Sequence, residues 1–266
     1  MDFDRRFLAW YVNLIIFARE ERNSKQANSS RKQKSCVLNL FRSRVSQDRY
    51  SKFGCKEAAM ALMTPEQFEA SLKKMKPRVF MDGKRVESIL ENKNTRTVVE
   101  ANKASYAWAL DPRYKDIITC YSPLIEEVVN RYTYVSASVE DLVKKAQAGT
   151  FTAEMLGTCI YRCVGYDAFH SLASTTWEMD RDLGTSYHPR FIEFLKNVQK
   201  KDLSAAGALT EPRGRRNQKT LEWPDPHLSL KIVAKKKEGI VVRGAKINIS
   251  GAYACHELVV LPQAAH

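Results

Sequence analysis

The chain has 266 residues, of which 44% are hydrophobic, and a formal net charge of +13. That is enough apolar material for one large domain or two ordinary ones, which excludes a wholly disordered chain. The charge suits nucleic acid, an anionic membrane or an anionic small molecule. Residues 1–62 carry 13 Lys/Arg against 6 Asp/Glu, so most of the excess sits in under a quarter of the chain. The body is only mildly basic, and it is read as binding neither nucleic acid nor membrane.

In chain order, the first feature is the apolar run Phe7–Ala18, which is shorter than the roughly 20 residues a spanning helix needs. Arg5 and Arg6 precede it as in a secretory signal, but no small-x-small cleavage site follows. Ser24–Ser35 is polar and basic, so residues 1–62 read as a disordered extension or as upstream sequence outside the folded protein. Order is expected from Thr64, where Thr64-Pro65-Glu66-Gln67 has the makings of a capping box and opens a helix to about Met75. Arg78–Val86 alternates around Asp82-Gly83, a hairpin signal. Helices are expected at about 96–110, 123–133, 138–148, 153–179 and 188–201, making 63–203 a mainly helical domain. Ala205–Ala208 reads as small and flexible, and Thr210–Gln218 as a basic, turn-rich loop. Strands are expected at Leu228–Ala234, Gly239–Ile249 and Glu257–Leu261, making 204–266 the opening of a β domain and the whole an α+β chain.

The six cysteines are Cys36, Cys55, Cys120, Cys159, Cys163 and Cys255, and their irregular spacing in a long chain favours a reducing, cytoplasmic setting. Cys159 and Cys163 stand out. On a helix over 153–179, the i, i+4 spacing would put both thiols on one face, where two soft ligands suit a metal or an iron–sulfur cluster. The plainer alternative is a pair of small core cysteines. Cys255 and His256 are the other candidate ligands, with nothing in the sequence to place them nearby. The loop Leu209–Arg216, LTEPRGRR, offers backbone N–H groups and guanidinium forks to a phosphate or pyrophosphate; its plainer alternative is a solvated turn. Ser250, before Gly251, can reach a ligand where the backbone comes close.

Taken as an ordered set, these stretches are more specific than any one alone. PRVFMDGKRVES (77–88), CIYRCVGYDAFHSLASTTWEMDRDLGTSYH (159–188), ALTEPRGR (208–215) and EGIVVRGAK (238–246) resemble the 4-hydroxybutyryl-CoA dehydratase/vinylacetyl-CoA isomerase family, over Met63 to about Pro262. That family is related to the two-component 4-hydroxyphenylacetate 3-monooxygenases.

The resemblance implies an acyl-CoA dehydrogenase-like amino-terminal helical domain, the start of a β-barrel-like middle domain, and a carboxy-terminal helical domain that lies outside these residues. It implies that Cys159 and Cys163 are two ligands of a [4Fe–4S] cluster. By the same resemblance Leu209, Thr210, Glu211, Pro212, Arg213, Gly214, Arg215 and Arg216 bind FAD, and Ser250, where the family has threonine, lies close to flavin and substrate. The implied substrate is an acyl-CoA thioester and the implied assembly a homotetramer. The chain departs from the family at Tyr161, where a glutamine is expected, at Glu211, which replaces an aspartate, and at Arg215, which replaces an acidic residue. With two of four cluster ligands, these residues alone are not expected to hold a stable cluster or to be active. The rival readings are an FAD-dependent monooxygenase acting on a phenol, a non-catalytic remnant, and a binding module that uses the basic 1–62 stretch.

Overall fold

The computed structural model describes residues 13–15 (backbone only), 59–212, 228–236 and 239–261. The elements are β1 Asn13–Ile15, β2 Met60–Ala61, α1 Pro65–Met75, β3 Val79–Met81, β4 Lys84–Val86, α2 Lys93–Leu110, α3 Lys115–Ile118, β5 Thr119–Ser122, β6 Glu127–Asn130, α4 Val139–Leu156, α5 Cys163–Leu183, α6 Tyr187–Lys200, β7 Ala205–Ala208, β8 Lys231–Lys236, β9 Gly239–Arg243 and β10 Glu257–Val260. The chain is a mixed helix-and-strand, α+β protein. Among the described residues no helix is long and apolar enough to cross a membrane.

The start of α1 is the expected capping box. Thr64 Oγ1 accepts from the Gln67 N–H and the Gln67 side chain accepts from the Thr64 N–H. Thr64→Ala removes a partner from an otherwise orphaned helix donor, and urea unfolding should show a loss of about 1 kcal/mol. The β3–β4 hairpin turns through Asp82 and Gly83, whose φ of 51° and 73° give the left-handed pair that a two-residue turn requires.

Four expectations are corrected. Residues 123–133 are not helical: Glu126 reverses the chain at φ 60°, and β6 pairs antiparallel with β5 before a short 3₁₀ turn, Arg131–Thr133. The Val128-Val129 pair is buried there, and β-branched residues favour a pleated, half-buried strand. The expected helix over 153–179 is two helices. Gly157 takes a left-handed C-cap at φ 64° that ends α4, and α5 begins only at Cys163. The expected strand Gly239–Ile249 stops at Arg243, followed by a turn with Asn248 at φ 60°. Ala205–Ala208 is not a flexible link but a wholly buried strand.

The β7 strand is built from small residues because α5 lies directly on it. A Cβ added at Gly165 would sit 2.2 Å from the Ala205 carbonyl oxygen, and one at Gly207 would sit 2.4 Å from Val164 Cγ1. Here β7 and β10 run parallel, and β10 also pairs parallel with β1. Within the core, Phe169 and Leu172 of α5 and Phe191, Leu195 and Val198 of α6 pack with Ala205 of β7 and Val259 of β10. A second cluster joins α1, the hairpin and α2 through Phe68, Leu72, Val86, Val99 and Tyr106. A third joins Trp108, Ile118, Tyr132, Ala148, Ile160 and Tyr166. Ile160 belongs to the cysteine turn, so this third cluster anchors the site.

Candidate functional site

The segment Cys159–Cys163 runs between α4 and α5. Its residues alternate: Ile160 and Arg162 are fully buried, while Cys159 is exposed and Tyr161 and Cys163 are partly so. The thiols share a side because the chain turns back on itself between them, at Tyr161 and Arg162, rather than because of helical i, i+4 spacing. Tyr161 holds the turn in the left-handed region, at φ 61°. The two sulfurs are 2.7 Å apart, and the Tyr161 N–H points at Cys159 Sγ from 3.2 Å.

These contacts set the electrostatics. The Cys163 thiol and the Tyr161 N–H hold Cys159 below the ordinary thiol range, and the partner thiol pushes Cys163 above it. Of the pair, Cys159 is thus the easier to ionise. Both thiols open on a hollow of about 330 Å³ lined by Tyr132, Lys145, Thr152, Tyr166 and Asp167. Lys145 Nζ lies 2.5 Å from Asp167 Oδ1 and 4.8 Å from the centre of the Tyr166 ring. These wall residues were not legible in the sequence, where Lys145 is one more charge on a helix.

Beneath the turn, the Arg162 guanidinium lies over the faces of Tyr106 and Tyr132 and donates to Ser105 Oγ at 3.0 Å. It pairs with Asp202 at 3.5 Å, both side chains being essentially inaccessible. Asp202 Oδ2 accepts from the Met63 N–H at 3.1 Å. Burial pushes the Asp202 carboxyl up, against the opposing effect of Arg162.

Three close backbone approaches gather the candidate segments. Gly165 and Gly207 seat the start of α5 on β7, which leads straight into residues 209–212. A Cβ at Gly251 would lie 2.5 Å from the Tyr161 carbonyl oxygen, so Gly251, the residue after Ser250, is packed on the cysteine turn. Leu209, Thr210 and Ser250 are exposed, whereas Glu211 is buried. Glu211 Oε1 accepts from Lys246 Nζ at 2.9 Å, and that ammonium also donates to the carbonyls of Leu209 and Leu261. Lys246 thus ties two of the sequence motifs together, and the Glu211 side chain helps to hold the loop. Glu211 Oε2 is a buried acceptor without a partner among the described residues. Arg213, Gly214, Arg215 and Arg216 lie outside the described residues.

The other candidate ligands are committed elsewhere. Cys255 is buried, donates to the Ala252 carbonyl, and is pushed up to about 12 by burial. His256 Nδ1 accepts from the Ser204 N–H at 3.0 Å, which leaves Nε2 to donate to Ser71 Oγ at 2.7 Å. No cluster of three or more His, Cys, Asp or Glu suited to a metal occurs among the described residues. The donor set therefore fits two positions of a soft-metal or cluster site.

Burial lowers His256 to about 4, with Arg162 as the smaller cause. Its neutral form is the folded one, so stability is full above about 6.5 and is lost as pH falls towards 4, by roughly 3 kcal/mol. His170, also lowered by burial, adds to the same window. Urea midpoints should fall between pH 7 and pH 4.5, and His256→Gln should flatten that slope.

The chain is an α+β protein in which a turn carrying two thiols leads into α5, itself seated on β7. The family model described as 4-hydroxyphenylacetate 3-hydroxylase N terminal matches residues 64–266, and the chain belongs to that family. The 4-hydroxybutyryl-CoA dehydratase/vinylacetyl-CoA-Delta-isomerase of Clostridium aminobutyricum is 40% identical over 201 residues, covering 76% of this chain and 41% of the relative. The oxygenase component of 4-hydroxyphenylacetate 3-monooxygenase from Thermus thermophilus is 27% identical over 210 residues, covering 76% and 41%. The chain thus spans 41% of the length of these curated relatives. Among solved structures, an oxygen-tolerant archaeal 4-hydroxybutyryl-CoA dehydratase from N. maritimus superposes with a TM-score of 0.70 at 33% identity, covering 76% of this chain and 40% of that one. The oxygenase component of a 4-hydroxyphenylacetate 3-monooxygenase complexed with FAD superposes at 0.56 with 23% identity, covering 69% and 38%, and shares the fold.

Proposed function

We propose that the chain forms the amino-terminal part of a flavin- and [4Fe–4S]-dependent enzyme of the 4-hydroxybutyryl-CoA dehydratase type. The reaction is removal of water from 4-hydroxybutyryl-CoA to give crotonyl-CoA, with isomerisation of vinylacetyl-CoA. The observation that carries this reading is that the turn bearing Cys159 and Cys163 packs on Gly251, next to Ser250, while the start of α5 packs on β7, which leads into residues 209–212.

Cys159 and Cys163 would hold two cluster irons, as soft thiolates suit. Leu209 and Thr210, with Arg213 to Arg216 beyond them, and Ser250 would line the flavin. When bound, the flavin supplies one-electron chemistry that makes the acyl C–H acidic, and the cluster supplies a Lewis acid for the leaving hydroxyl. The chain's own residues position. Ile160 and Arg162 fix the turn from below, Lys246 and Glu211 fix the loop, and the Lys145–Asp167 ion pair forms part of the wall beside the thiols. An acyl-CoA dehydrogenase-like architecture, a homotetramer and a cytoplasmic setting go with this reading.

The thiol pair favours it over the monooxygenase branch, in which a flavin alone hydroxylates a phenol. The test is iron and acid-labile sulfide analysis of the gene's product isolated anaerobically from its host. Both should be present, and both should be lost in Cys159→Ser and Cys163→Ser. A product that binds FAD but carries neither iron nor sulfide would move the reading to the monooxygenase branch.

A further inference from the structure

We infer that Cys159 and Cys163 also form a reversible intramolecular disulfide, and that this closure excludes metal from the same turn. The exclusion rests on the ligand roles proposed above; the disulfide does not. The sulfurs stand 2.7 Å apart. A disulfide needs about 2.05 Å, whereas two thiolates on one tetrahedral metal at about 2.3 Å each need about 3.8 Å, and thiolates on two separate cluster irons stand further apart still. The metal-free turn is therefore nearer to the bonded state than to the chelating one.

Nothing has to be dragged into place. Ile160 and Arg162 are locked in the core, and Tyr161 already reverses the chain, so a small rotation about the two Cα–Cβ bonds closes the gap. The hollow beside the pair and the exposure of Cys159 give a soluble oxidant access, which separates this pair from the buried Cys255.

With a low-molecular-weight disulfide such as glutathione disulfide as oxidant, the Cys159 thiolate attacks one of its sulfurs and expels a glutathione thiolate. Cys163, on losing its proton to solvent, then attacks the Cys159 sulfur of the mixed disulfide and expels the second glutathione. Two protein thiols are oxidised, one glutathione disulfide is reduced to two glutathiones, and one S–S bond is exchanged for another. Once both sulfurs are bonded to each other, neither is a thiolate ligand. Dithiothreitol reverses the sequence.

The experiment uses the full chain, reduced or treated with glutathione disulfide, alkylated and mapped with trypsin. Cleavage after Arg162 separates the two cysteines, so the peptide ending at Arg162 and the one beginning at Cys163 remain joined only through a disulfide. The joined pair should appear in the oxidised sample and vanish with dithiothreitol. Cys163→Ser should stop at a glutathione adduct on Cys159. Separate glutathione adducts on both cysteines of the unsubstituted chain, or two free thiols, would overturn the inference. In a second arm, cadmium uptake is read by thiolate-to-metal absorption against a Cys159→Ser/Cys163→Ser background. Uptake above that background should be lost on oxidation and restored on reduction. Equal uptake in both states overturns the exclusion. A disulfide that forms in a chain with no uptake in either state upholds the closure and overturns the ligand roles instead.

Discussion

Replacing Asp202 with asparagine is expected to cost the fold about 3–5 kcal/mol, because it leaves a buried guanidinium without a counter-charge. Asparagine keeps the shape and tolerates the left-handed backbone at position 202, where φ is 46°. The substitution therefore isolates the charge. Arg162 is enclosed by Tyr106, Tyr132, Ser105 and the carbonyl of Leu203, none of which can neutralise it. Its Nε already lacks a partner, so the pair is not an optimised one. The 3.5 Å separation says the same. A loose buried pair adds little net stability while being costly to break from one side. Hence Arg162→Met with Asp202→Asn should recover a good part of what the single change loses. Urea unfolding of both singles and the double closes the cycle. Strictly additive losses would show that the two residues act independently and that the turn is not held by the pair.

The same pair shows where sequence reasoning stops. Local chemistry was readable. Thr64 and Gln67 cap a helix, Asp82-Gly83 turns a hairpin, and the heptad-like spacing of Phe191, Leu195 and Val198 gives α6 its buried face. The family set the order of the candidate segments. Long-range packing was not readable. Nothing local distinguishes Ala205-Ala206-Gly207-Ala208 as a linker from the same residues as a strand pressed under α5; only the neighbour 2.2 Å from a would-be Cβ does that. Likewise a continuous helix through residues 153–179 satisfied the apolar period, and the single Gly157 at φ 64° was enough to end it. The thiols ended on one side as expected, but for a different reason. His256 looked like a spare ligand in the sequence and proved to be a partly buried residue bonded to Ser71 and Ser204, 185 and 52 positions away.

A methyl group at position 165 is the other change with a large expected effect. Gly165→Ala puts a Cβ 2.2 Å from a backbone oxygen of β7, which cannot rotate aside. Helix and strand must part by about 1 Å or more, and overpacking of this kind costs about 1–3 kcal/mol, occasionally more. Because β7 is sandwiched between α5 and the β10 pairing, the strain passes to the Ala205–Ala208 ladder and to residues 209–212 beyond it. Gly149→Ala supplies the contrast. It lies inside α4 with nothing within 4 Å of the added atom. There the change removes only glycine's excess freedom in the unfolded chain and should stabilise by about 0.5–1 kcal/mol. Thermal and urea unfolding of the two variants should therefore move in opposite directions. If Gly165→Ala were neutral, α5 would not rest on β7 as closely as described. The seat of α5 on the strand that leads into residues 209–212 would then be looser than the proposed site requires.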